Sequence, residues 1–133
     1  MTTQLVKLSR IAGWIAISLG IIHTANTWFV IDDIANMNRG WQGIFLYMYV
    51  ATGLACLLAG GGMLMSVSSS IRNLKIAHHI YLISAIFMLF LGIGAPLAMR
   101  TNPFGYIALA VGVFATSIAL LRYRQNLLYE PNH

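Results

Sequence analysis

Few side chains in this chain suit chemistry, and His23 is the most informative of them. It sits inside a run of 21 uncharged residues, 11 to 31, with Asn26 and Thr27 one turn further along. A neutral imidazole can donate, accept or ligate. That allows a contact to a ligand carbonyl such as that of a quinone, a place in a proton relay, or axial ligation of a haem. It also allows a plain interhelical hydrogen bond that fixes packing. Polar groups inside an apolar span are costly and turn toward an interior or a cavity. Together with Trp28, Asp32, Asp33 and Trp41, these three residues make the expected ligand-binding set: an outer-facing polar pocket.

The other reactive residues point to less. His78 and His79 follow Arg72 and Lys75, and the four form a basic cluster suited to lipid headgroups. Neighbouring helical residues point about 100° apart, so at most one of the two histidines faces inward. The cluster and His23 fall in different spans, near opposite ends, so one haem cannot bridge them within a chain. Asp32 and Asp33, with Asn36 and Asn38, could hold a cation, but no spaced motif of the H-E-x-x-H kind accompanies them, and no metal site is expected. Cys56 is the single cysteine and reads as a small packing residue. The sequence carries no glycine-rich phosphate loop, no G-x-S-x-G and no acid deep in a span. The expected role is therefore non-catalytic and without a cofactor.

These residues must be positioned by helices that live in a bilayer. Of 133 residues, 59% are hydrophobic and 8% charged, and the formal net charge is +5. A soluble domain carries about a quarter charged residues, and a disordered chain combines low hydrophobicity with high charge. Eight basic residues are too few and too scattered for a nucleic-acid surface. Instead they mark boundaries. Transmembrane helices need about 20 apolar residues, and four windows qualify, at about 11–31, 43–65, 76–99 and 104–122. The first is too long for a signal-peptide core and has no small-residue cleavage site, so it reads as a retained span. The connections are an outer loop 32–42, long and polar enough for structure of its own, an inner loop 66–75, and a tight turn ending at Pro103. The tail 123–133 reads as exposed and partly disordered.

Four spans predict an all-α, single-domain up-down bundle with both termini on one side. Lys7, Arg10, Arg72, Lys75, Arg122 and Arg124 fall on that side, against Arg39 and Arg100 on the other. Six against two predicts cytoplasmic termini, in a multi-pass protein of a cell inner membrane. Small residues recur every three or four positions in each span: Gly13, Ala16 and Gly20; Gly53, Cys56 and Gly60; Ala85, Met88 and Gly92; Ala108, Gly112, Ala115 and Ala119. Such faces let helix backbones approach closely. In organisation alone the chain resembles small bacterial membrane families, including DoxX-like ones, and that resemblance implies no activity and no site. The expected function is binding of a hydrophobic or small polar ligand, or service as an accessory subunit of a membrane complex. The expected partners are membrane lipid and either a second copy or a membrane protein. The alternatives are an oligomeric small transporter or channel, or a haem- or quinone-associated anchor subunit.

Overall fold

Long apolar runs, interrupted only where polar or proline-containing segments intervene, form four helices. A computed structural model describes residues 2–71, 75–98 and 103–129, leaving out the side chains of Asp33, Ala98 and 126–129. The helices are α1 (Thr3–Ala35), α2 (Arg39–Met65), α3 (Lys75–Ala98) and α4 (Pro103–Tyr129). All four are long and apolar enough to cross a membrane. At 33 residues α1 is about 50 Å long at 1.5 Å per residue, well beyond a ~30 Å hydrocarbon core. The surface suits lipid: Trp28, Phe29 and Leu97 are each at least 75% exposed.

The connections differ from the sequence expectation at two places. The loop expected over 32–42 shrinks to residues 36–38, because both flanking helices extend into it. Local hydrogen bonds explain the extension. Asn38 caps α2, its side chain accepting from the Gly40 N–H at 3.1 Å. Gln42 reaches back and donates to the carbonyls of Ala35 and Met37 at 2.9 and 2.8 Å. The orphan carbonyls at the end of α1 are thereby satisfied without a longer loop. At the other terminus α4 continues to Tyr129, beyond the expected span end at 122. Neither glycine nor proline occurs between Tyr123 and Tyr129, so nothing in that stretch breaks the helix.

The small-residue faces are the ones that pack. A Cβ on Gly60 would lie 2.6 Å from the Gly13 carbonyl oxygen, and one on Gly20 would lie 2.7 Å from that of Gly53. The two contacts are two turns apart on each helix, with their order reversed between α1 and α2. In the second pair, a Cβ on Gly92 would lie 2.6 Å from the Leu109 Cα, and one on Gly112 would lie 2.6 Å from the Leu89 Cα. Helices α1–α2 and α3–α4 thus form two tight pairs, joined by lighter α2–α3 and α1–α4 contacts. Ala12, Ala16, Ala85, Met88 and Ala115 are fully buried where the pairs meet.

The pairs are bridged directly at the end nearer the N-terminus. Gly62 of α2 sits against the Ser84 side chain of α3, and Arg122 of α4 donates to the Ser9 hydroxyl of α1 at 3.4 Å. Toward the residue 36–38 connection, a cleft lies between all four helices.

Candidate functional site

His23 reaches the cleft because it continues the small-residue face of α1, one turn beyond Leu19 and Gly20. The cleft has a volume of about 350 Å³, at the small end of the range for ligand sites. Helix α1 contributes Leu19 and His23, and α2 contributes Met48, Thr52 and Cys56. Helix α3 adds Phe90 and Gly94, and α4 adds Phe104 and Ala108. The walls are apolar apart from an imidazole, a hydroxyl and a thiol. Met48 and Phe90 are 51% and 69% exposed, so the cleft opens sideways between α2 and α3, onto the lipid-facing surface.

Two features mark His23 among the residues that line the cleft. Its ring stacks on Tyr49 of α2, with centroids 4.8 Å apart and planes 7° from parallel. Its Nε2 is buried without a hydrogen-bond partner. The large majority of buried side-chain polar atoms find a partner in protein or water. Thr52 is different, since its hydroxyl donates to the Met48 carbonyl of its own helix at 2.7 Å. That hydroxyl keeps only its accepting capacity for a ligand.

Of the residues expected to form a polar pocket with His23, none of the described ones lines this cleft. Thr27 is buried one turn further along, with its hydroxyl unpartnered. Asn26 is half-buried and Asp32 exposed. Trp28 is 79% exposed, and Trp41 packs edge-on against Phe45 at 6.5 Å. The Asp33 side chain lies outside the described residues. Helix geometry gives the reason: Trp28, Asp32 and Trp41 sit on faces of α1 and α2 that point away from the pairs' interface. Among the described residues, no three of His, Cys, Asp and Glu gather where a metal ion could be held.

In the basic cluster, Lys75 and His79 are exposed, while His78 is half-buried. The His79 Nδ1 pairs with the Lys75 carbonyl at 3.0 Å, and the His78 Nδ1 is buried and unpartnered. One histidine thus turns inward and the other out. Arg72 lies outside the described residues.

Sequence reasoning missed the second polar centre of the fold. Arg122, counted there among the charges of the inner face, is 1% exposed. Its Nη1 donates to the Ser66 hydroxyl at 3.0 Å and more weakly to the Ser9 hydroxyl at 3.4 Å. Its Nη2 reaches the Ser66 carbonyl at 3.4 Å, and its guanidinium carbon lies 4.3 Å from the Tyr81 ring centroid. Ser66 ends α2 as its C-cap, where the helix dipole favours a cation. One arginine therefore holds the ends of all four helices. The signal was present in the spacing. Continuing the α4 seam from Ala115 through Ala119 by one more step lands on Arg122, and Ser9 and Tyr81 extend the seams of α1 and α3 in the same way.

Compared with known protein families, curated proteins and solved structures, the chain matches none.

Proposed function

We propose that this chain is a multi-pass inner-membrane protein that binds a small apolar molecule from the bilayer in the cleft beside His23. The observation that carries the reading is an apolar cleft with His23 in its wall, a residue whose Nε2 is buried and unpartnered. The sideways opening between α2 and α3 supports entry from lipid. The helices form an up-down bundle with both termini cytoplasmic, a reading supported by the excess of basic residues at that end. Lys75 and the outward-facing His79, with Arg72, meet anionic headgroups there. A four-helix bundle encloses little volume of its own, which favours assembly with a second copy or with a larger membrane complex.

Gly94 supplies the test. It lines the cleft, it is exposed, and a Cβ built on it meets nothing within 4 Å. Gly94→Phe therefore fills the mouth without disturbing the helix pairs. Native mass spectrometry of protein extracted in mild detergent should show a retained apolar mass in the wild type that Gly94→Phe loses. Equal retention by both proteins would sink the cleft as the binding site.

Topology has its own check. Cys56 is the single cysteine, so Cys56→Ala gives a background free of thiols. In intact spheroplasts, a membrane-impermeant maleimide should label Asn36→Cys and spare Ser69→Cys. The opposite pattern would reverse the orientation.

A further inference from the structure

The walls of the cleft narrow the ligand class. No Lys, Arg, Asp or Glu lines it, and a charged headgroup in such a site would carry an uncompensated desolvation cost. A neutral ligand is therefore favoured over a fatty acid or a phospholipid head. Thr52 spends its proton on Met48, and a thiol such as that of Cys56 is a weak donor. Among the polar side chains of the cleft His23 is thus the strong donor, and its Nε2 is buried without a partner. Stacking on Tyr49 holds the imidazole plane in place, which gives the contact a direction. Phe90 and Phe104 add aromatic surface to the same walls, and flat rings pack well against such surface. A volume of about 350 Å³ admits one substituted ring. The exposed pair Met48 and Phe90 marks where a tail would leave for the lipid.

We infer, resting on the cleft reading above, that the ligand is a planar, uncharged ring carrying a carbonyl and an apolar tail, of the benzoquinone class. The carbonyl accepts from His23 Nε2–H, the ring lies against Phe90 and Phe104, and the tail passes between α2 and α3 into the bilayer. This is a binding step only, with no change in the redox state of the ligand.

The test compares two probes of equal tail length, decylubiquinone and decylbenzene, by calorimetric titration of the whole protein in one detergent. Decylubiquinone should bind wild-type protein about tenfold more tightly, the scale of one hydrogen bond to an otherwise unsatisfied buried group. The difference should vanish in His23→Leu and persist in His23→Gln, which keeps a side-chain donor. Melting followed by circular dichroism checks that both variants fold, and the two-probe comparison in the wild type stands without them. Equal affinities for the two probes in the wild type would overturn the carbonyl assignment and leave the apolar cleft standing. If neither probe bound, or if Gly94→Phe bound both as the wild type does, the cleft reading itself would fall.

Discussion

Arg122→Ala should lower the stability of the folded protein by about 3 kcal/mol, in unfolding by sodium dodecyl sulfate from mixed micelles followed by helical circular dichroism. The guanidinium makes one good charge-assisted hydrogen bond to Ser66, a class worth about 1.5–3 kcal/mol. It also makes a desolvated contact with the Tyr81 ring, of a kind worth up to about 2 kcal/mol. Its loss leaves the Ser9 and Ser66 hydroxyls and the Ser66 carbonyl without their cationic partner. The side-chain volume goes too, because Arg122 is among the largest fully buried side chains. Arg122→Lys should recover less than half of the loss. An ammonium is a point charge, and it cannot both fork to two serines and lie flat on a ring. A loss within about 0.5 kcal/mol for Arg122→Ala, the ordinary range for a surface substitution, would mean that the arginine does not hold the helix ends together.

The glycine seams carry the second large effect. Gly112→Val should cost about 2–3 kcal/mol or more, since overpacking a tight contact costs 1–3 kcal/mol and backbone cannot step aside as a side chain does. The atoms in the way are the Leu89 Cα at 2.6 Å, the Leu89 N at 2.9 Å and the Met88 O at 2.9 Å. Gly60→Val should behave alike, against the Gly13 carbonyl oxygen at 2.6 Å and the Ile17 N at 2.8 Å. Gly61 provides the contrast within the same helix. A Cβ there meets nothing within 4 Å, so Gly61→Ala should be neutral or stabilising by up to about 1 kcal/mol through helix propensity. The same mixed-micelle titration ranks all three. If Gly61→Ala cost as much as Gly60→Val, helix propensity rather than close approach would be the reason for these glycines.

The two effects describe one mechanical arrangement. Glycine seams weld α1 to α2 and α3 to α4, and Arg122 ties the two pairs at the end where Ser9, Ser66 and Tyr81 meet. The cleft lies toward the other end, with the pairs already fixed below it. Occupation of the cleft therefore need not disturb the contacts that hold the fold. The substitution that closes the cleft, Gly94→Phe, and those that loosen the fold act on separate residues, so stability and binding can be read independently.

How far the sequence reached follows from which properties are local. Apolar run length is local, and it specified four helices able to cross a membrane. Residue size at a fixed spacing is nearly local, and it marked the packing faces through Gly13, Gly20, Gly53, Gly60 and Gly112. His23 was legible as a polar residue on such a face. What spacing along one chain cannot express is which faces of different helices meet at one depth. Sequence reasoning grouped His23 with Asn26, Trp28 and Asp32 because they are near in the chain. The structure instead gives it Tyr49, Thr52, Phe90 and Phe104, from three other helices.

Arg122 marks the same divide from the side of charge. By sequence alone it is one more cation at the end of a span, where water or headgroups would receive it. In the fold it falls where the C-terminus of α2, two serine hydroxyls and a tyrosine ring converge, and their combined field lets a guanidinium be buried. Sequence determined that the chain has four apolar helices with small-residue faces, because each helix writes that information in its own residues. Only the tertiary structure decided which polar side chains are enclosed together, because that depends on the register between helices, and close backbone contacts at glycine set it.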